Sequence, residues 1–417
     1  MPKRVILHCD LNNFFASVEC LSHPERRDVP MAVCGSAEER HGIVLAKNEK
    51  AKKFGVKTAE AIWEAQRKCP DLVIAAPHYD DYVFYSKKVR AVYEEYTDRV
   101  EPFGMDECWL DVTGSSLLFG GGKKIAYEIK ERIKKEFGLT ISVGVSFNKV
   151  FAKLASDLKK PDAVTVIDEE NFRSVVWPLQ VQEMIGVGKS TQKRLNSIGI
   201  STLGELATSD PKLLRLVLGK SGEQLLRFAS GKDTSPVLTK NEIPPAKSVG
   251  RSVTSAHDLK SDEEVAAVML HLTEKVASSL RDNNVMATAV QIHIRDENLV
   301  VRECQAPLCQ PTRIVEMLFS LGMELFSKNW NWQYNVRSIG IRALDLVPEN
   351  SASQYNLFYS GKRYEKMERL EAQVYNICGK YGKNALFRAS TMKLGFLKTD
   401  SPENEKSNLK NTKSSLG

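Results

Sequence analysis

The apolar positions of this chain change period several times, and each change marks an element. Val5-Ile6-Leu7-His8-Cys9 is a short apolar run that stops at Asp10, the pattern of a buried strand. Val100 to Phe103 and Cys108 to Val112 flank Gly104-Met105-Asp106-Glu107, which predicts a hairpin with two acids at its turn. Ile125, Ile129, Ile133 and Phe137 then recur at four-residue spacing and stop at Gly138, an amphipathic helix with a glycine end. Leu139, Ile141, Val143 and Val145 alternate as a strand does. Strand, hairpin, helix and strand in that order predict an α+β sheet with helices on one face.

Residues 168–232 lose the alternation and are rich in Leu, Lys and Arg at short helical periods. Within them, Gly186-Val187-Gly188-Lys189 predicts a glycine turn whose backbone N–H groups open a helix, a site suited to phosphate. The pattern is similar to a helix-hairpin-helix, which clamps a DNA backbone without reading its sequence. A P-loop is excluded, since Glu183 stands where that motif needs Gly. Thr234-Ser235-Pro236 and Pro244-Pro245 mark a linker over 235–245. Beyond it the periods predict strand 247–254, helix 262–281, strands 287–295 and 299–304, helix 312–327 and strand 336–346, a β-α-β-β-α-β domain. Lys247, Arg251, Arg295, Arg302, Arg337 and Arg342 fall on its predicted strands and many acids on its first helix, so a basic sheet face with an acidic back is expected. A helix over 362–379 and a polar end that cannot support a core complete the chain.

Composition narrows the class. The 417 residues are 42% hydrophobic and 27% charged, which excludes a disordered, collagen-like or disulfide-scaffold protein. No apolar run approaches the roughly 20 residues of a membrane span, and the start MPKRVILHCD is no signal peptide, so a cytoplasmic protein is expected. The eight cysteines form no Cys-x-x-Cys pair and read as reduced, mostly buried thiols. Net charge is +7, and it is uneven: ten basic against four acidic residues over 121–160, and ten against five over 171–240. Such runs are usually solvated helix faces. An acidic knot beside them, from Glu101 to Asp111, also fits a metal site next to a polyanion.

Asp10 at a strand end, with Asp106 and Glu107 at a hairpin turn, converge if the strands are neighbours. Carboxylates that close repel, so the arrangement needs divalent cations or raised pKa values. Oxygen-only ligands suit Mg²⁺, and two such ions drive in-line phosphoryl transfer. From spacing alone, three unrelated surface acids fit equally well.

Longer motifs separate these readings. Asp10-Leu11-Asn12-Asn13-Phe14-Phe15-Ala16-Ser17-Val18-Glu19 resembles the first motif of Y-family, translesion DNA polymerases. Phe103-Gly104-Met105-Asp106-Glu107-Cys108-Trp109-Leu110-Asp111 resembles their second. Ser142-Val143-Gly144-Val145-Ser146, with Asn148-Lys149, Ala152-Lys153 and Ala155-Ser156-Asp157 leading to Lys160-Pro161, resembles a third. The likeness runs to about residue 347, in the order of the DNA polymerase IV branch. It implies a right-hand polymerase, α+β in class, with a ferredoxin-like palm (1–14 and 78–167) and small fingers (15–77). An all-α helix-hairpin-helix thumb (168–234), a linker (235–245), a βαββαβ little finger (246–347) and a tail (348–417) would follow.

The resemblance also implies roles. Asp10, Asp106, Glu107 and the Leu11 carbonyl would hold two Mg²⁺ ions per active site, and Phe15 would be the steric gate against a ribose 2′-hydroxyl. From sequence alone Phe15 could equally be a core aromatic. Phe14, Lys52 and Lys160 would contact the deoxynucleoside triphosphate. Gly186, Gly188, Lys189, Lys247, Arg251, Arg295 and Arg337 would contact primer–template DNA. Many relatives carry Tyr-x-x-Arg in the fingers where this chain has Glu49 and Lys52, which removes one phosphate donor and a bidentate fork. Ile43, Leu45 and Ala59 stand where some relatives have smaller residues over the base pair. Gln354-Tyr355-Asn356-Leu357-Phe358 resembles the Gln-x-x-Leu-Phe peptide that docks bacterial polymerases on the sliding clamp, with Gln354, Leu357 and Phe358 as its anchors. No segment resembles a proofreading exonuclease, so low fidelity and distributive synthesis are implied, and a monomer is expected. A nucleotidyl cyclase would not need the hairpin-helix segment or the second sheet domain. A silent DNA-binding adaptor would not need all three acids.

Overall fold

The computed structural model describes residues 3–36, 42–351, 361–382, 385–386 and 388–389. The chain forms two compact units that meet in sequence at Pro244 and Pro245.

The first unit is built on a five-stranded sheet. In spatial order its strands are Val100–Phe103, Glu107–Asp111, Ile6–Leu11, Ile141–Ser146 and Val164–Ile167. The first four are antiparallel neighbours, and the last pairs parallel to its neighbour. Strand alternation sorts the central strand's side chains between two faces. Leu7, Cys9 and Leu11 join the large core with Leu110, Ile125, Ile129 and Ile133. Ile6, His8 and Asp10 face the other way, where Ile6 packs with Trp109, Ala152 and Val237. Each fully buried Ile contributes roughly 1.5–3 kcal/mol of transfer free energy.

This second face corrects the expectation of helices on one side only. The helix Gly122–Phe137, closed by Gly138 at φ 67°, covers the first face. The helix Lys149–Leu158 covers the second. It approaches so closely that a Cβ on Gly144 would lie 1.9 Å from the Ala152 carbonyl oxygen. Only glycine fits there, and that contact sets the height of the helix over Asp10. The expected strand Val5–Cys9 extends in fact through Asp10 to Leu11, because both neighbouring strands continue the ladder that far.

A three-stranded sheet of Val44–Lys47, Met31–Cys34 and Val73–Ala75 carries the helices Glu49–Lys53 and Ile62–Lys68 around its own small core of Ala32, Cys34, Val44, Ala51 and Ile62. Residues 168–232 are helical, as their periods predict, with Leu195, Leu203, Leu206, Leu214 and Leu225 at the centre. The expected linker is not free. Val237 is fully buried, Leu238 N–H donates to Glu101 Oε2 at 2.8 Å, and Arg99 donates to the Val237 carbonyl at 3.1 Å.

The second unit has the expected β-α-β-β-α-β order. Its antiparallel sheet runs Val301–Thr312, Val285–Asp296, Val336–Leu344, Ser248–Leu259. The helices Asp262–Asp282 and Val315–Asn329 pack on one face with Ile292, Ile294, Ile339 and Ile341. The six basic strand positions do not share the opposite face. Arg251 lies in phase with Val249 and Val253, stands opposite Ile341, and donates to Ser279 Oγ on the first helix at 3.0 Å. Arg302 stands opposite Ile294 and lies over the Trp330 ring. Arg295 and Arg342 are in phase with the open face, Arg337 sits at a register shift, and Lys247 precedes its strand. A period of two decides this, and composition alone had obscured it.

A helix over Gly361–Tyr381 docks on this unit through polar contacts. Glu371 accepts the Val315 N–H at the start of the second helix, and Glu368 receives both Arg281 and Arg313. The peptide 354–358, with Gln354, Leu357 and Phe358, lies outside the described residues.

Candidate active site

Strand register brings two of the three acids together, and the third lies near enough to repel Asp10. Asp10 and Glu107 are directly opposite in an antiparallel pair, so their side chains leave the same face. The Leu11 N–H donates to the Asp106 carbonyl at 3.0 Å, which draws the hairpin turn onto the strand end. Gly104, at φ 88°, makes that turn possible.

Two lysines answer the acids. Lys160 Nζ lies 2.6 Å from Asp10 Oδ2 and 2.7 Å from Asp157 Oδ1. Lys153 Nζ lies 2.5 Å from Glu107 Oε2 and 5.3 Å from the centre of the Phe103 ring. His8, fully buried, brings Nε2 to 3.2 Å from Glu107 Oε2 and Nδ1 to 2.8 Å from Ser156 Oγ. Burial pushes the His8 pKa down, so the ring is neutral near pH 7.

The acids respond unequally. Burial drives the Asp10 pKa up, Lys160 only partly offsets it, and Glu107 and Asp106 add repulsion, leaving it at about 7. For Glu107 burial also acts upward, but the nearby His8 ring and the charge of Lys153 outweigh it and bring the carboxyl to about 2. Burial works against the Lys160 charge, yet Asp10 and Asp157 hold its pKa above the ordinary range. Among the described residues no three His, Cys, Asp or Glu side chains are gathered tightly enough to hold an ion as they stand. The Lys160 and Lys153 ammonium groups pair with Asp10 and Glu107 instead. The donor set still fits a hard divalent ion, since its ligands are all oxygens and Asp10 stays repelled by Glu107 and Asp106 despite Lys160.

Around this centre the other expected residues are dispersed by element. Phe14 and Phe15 open the helix Phe14–Ser22 and are both nearly buried, Phe15 stacked on Tyr82 at 4.1 Å. Lys52 is half exposed and held at 3.5 Å by Glu49, which also accepts from Asn13 Nδ2 at 2.9 Å. Glu49 therefore orients Lys52 and the Asn13 turn. In the helical part, Gly186 takes φ 90°, Gly188 caps the helix Lys189–Ser197, and Lys189 is exposed on its first turn. Lys153 and Asp157 stand in the third motif and His8 in the first strand, yet sequence alone assigns none of them a role. Lys153 and Asp157 are four apart on the helix Lys149–Leu158, which places them on one side, and Lys160, just past its end, returns to Asp157 at 2.7 Å.

Comparison with known proteins identifies the family. The chain matches the impB/mucB/samB family over residues 9–157, the C-terminal domain of that family over 246–357, and its helix-hairpin-helix motif over 169–200. It is 52% identical to DNA polymerase IV of Acetivibrio thermocellus, over 91% of this chain and 95% of the relative. Identity to DNA polymerase IV 1 of Bacillus subtilis is 36%, over 94% of each. Among solved structures, a Y-family DNA polymerase chimera (Dbh-Dpo4-Dbh) shares its fold with TM-score 0.73 at 24% identity, over 82% of this chain and 99% of that one. A Dbh ternary complex does so at 0.59 and 25%, with the same coverage. The chain belongs to the Y-family of DNA polymerases, in the DNA polymerase IV branch, and is a DNA-directed DNA polymerase.

Proposed function

We propose that this enzyme performs low-fidelity translesion synthesis without proofreading, using two Mg²⁺ ions. The observation that carries the reading is the in-register pair Asp10 and Glu107, with Asp106 tied to Leu11 beside them. Asp10, Asp106 and Glu107 would hold the ions, with the Leu11 carbonyl a further ligand. When bound, such ions lower the pKa of a 3′-hydroxyl and stabilise a leaving pyrophosphate.

The chain's own residues prepare for this. Lys160 neutralises Asp10 now and is near enough to turn its charge toward a triphosphate. Lys153 and His8 fix Glu107 in its ionised form. Phe15 closes the floor under the incoming sugar, while Phe14 and Lys52 flank the nucleotide. The five-stranded sheet acts as palm (1–14 and 78–167), the small sheet as fingers (15–77) and the helical part as thumb (168–234). The second unit acts as little finger (246–347). Gly186, Gly188 and Lys189 would hold phosphates at a helix start. Lys247, Arg295, Arg337 and Arg342 would follow the duplex backbone, with Arg251 contributing less because it is turned toward the helices. Residues 354–358 would dock a monomeric enzyme on the sliding clamp.

Primer extension past an abasic analogue tests this reading. Extension is expected with Mg²⁺, together with no shortening of a 3′-mismatched primer when nucleotides are withheld. Complete arrest at every lesion tried, or trimming of the mismatch, would overturn it.

A further inference from the structure

Next to Phe15, two helices lock together through a matched pair of four-residue spacings. Phe15 and Glu19 are neighbours on one face of Phe14–Ser22, and His78 and Tyr82 are neighbours at the start of Tyr79–Glu94. The Phe15 and Tyr82 rings are stacked, 4.1 Å apart and 9° from parallel. Tyr79 closes the stack edge-on to Phe15 at 5.8 Å and to Tyr82 at 5.7 Å. Tyr82 is fully buried and has no freedom to slide in its plane, because its phenol is held on both sides. The His78 backbone N–H donates to the phenol oxygen at 3.1 Å, and the phenol O–H donates to Glu19 Oε1. Glu19 is itself only 3% exposed, and His78 Nδ1 lies 3.0 Å from both its oxygens.

A buried carboxylate is costly, and a core position could be filled by an apolar residue instead. Here the charge does something an apolar residue could not: it fixes where one aromatic ring stands under another. A gate that excludes a single hydroxyl must be placed to a fraction of an ångström. We propose that Glu19 is a positioning residue for sugar selection, setting the seat of Phe15 through the Tyr82 phenol. This rests on the reading of Phe15 as the steric gate.

The test measures the ratio of kcat/KM for a deoxynucleotide to that for the matching ribonucleotide. Tyr82→Phe keeps the stack and removes only the phenol oxygen; Glu19→Leu keeps volume and removes both acceptors. Each is expected to lower the ratio about ten-fold, the scale of one lost hydrogen bond, with the deoxynucleotide value little changed. Glu19→Gln retains one acceptor oxygen and should restore most of the discrimination. If Glu19→Leu fails to fold, Tyr82→Phe, a one-atom change, still decides the matter. Equal losses for both sugars, leaving the ratio intact, would reduce the cluster to packing and overturn the proposal. Phe15→Ala separates the two layers: if it leaves the ratio unchanged the gate reading fails, whereas if it alone collapses the ratio only the role of Glu19 fails.

Discussion

Replacing Asp10 by Asn should stabilise the metal-free protein, and more so as the pH rises. Asp10 has an ordinary carboxyl pKa of 3.8 when unfolded and about 7 when folded, because burial and its acidic neighbours outweigh Lys160. The native state therefore holds the proton more tightly than the unfolded chain. Stability from this group is greatest below 3.8 and is lost as pH climbs to about 7. At pH 8 the full loss is about 4 kcal/mol, and at pH 5 about 1.5 kcal/mol, at 1.36 kcal/mol per pH unit. Relaxation of the site reduces both, so the gap between variant and wild type should widen by about 2 kcal/mol from pH 5 to pH 8. For a unit of this size that is about 5 °C in melting temperature. The assay is thermal unfolding of both proteins with a chelator across that range. Saturating Mg²⁺ at pH 8 should then narrow the gap by raising the wild type alone. A gap independent of pH would refute the reasoning, since it would mean that Asp10 is ionised normally in the fold.

Phe15→Ala should admit ribonucleotides with little loss of deoxynucleotide turnover, and competition assays showing unchanged sugar choice would count against it. Arg295→Ala with Arg342→Ala should weaken DNA binding and flatten the log–log salt dependence by about two contacts. Arg251→Ala should instead lower the melting temperature through its lost Ser279 contact, with a smaller effect on the salt slope; the opposite ranking would show that the open sheet face is not the binding face. Leu357→Ala with Phe358→Ala should abolish stimulation by the sliding clamp and spare clamp-free extension, each anchor being worth about 2 kcal/mol. Equal stimulation of variant and wild type would place docking elsewhere.

Much of this fold is written in local periods. The four-residue spacing of Ile125, Ile129 and Ile133 and the glycine at 138 predict a helix whose end at Phe137 and Gly138 the structure reproduces. Asp10, Asp106 and Glu107 are legible as a set because Asp10 ends one apolar run and the other two stand at the turn between two more, but their approach depends on register, which no single strand encodes. The covering helix on the second sheet face was hidden for the same reason. Its signal is Gly144, whose missing Cβ matters only once Ala152 is seen against it. The inward turn of Arg251 is legible in the sequence, since Val249 and Val253 flank it in phase. Glu19, Tyr82 and His78 lie about sixty residues apart in sequence, and only the packed pair of helices brings them to Phe15.

Single-nucleotide incorporation on a primed template with Mg²⁺, comparing wild type with Asp106→Ala, tests the central claim most directly. Template-directed addition by the wild type, and loss of that addition in a variant that still folds and still binds primer–template, is the expected result. Undiminished incorporation by Asp106→Ala would show that the chemistry does not reside at the acids paired across Ile6–Leu11 and Glu107–Asp111.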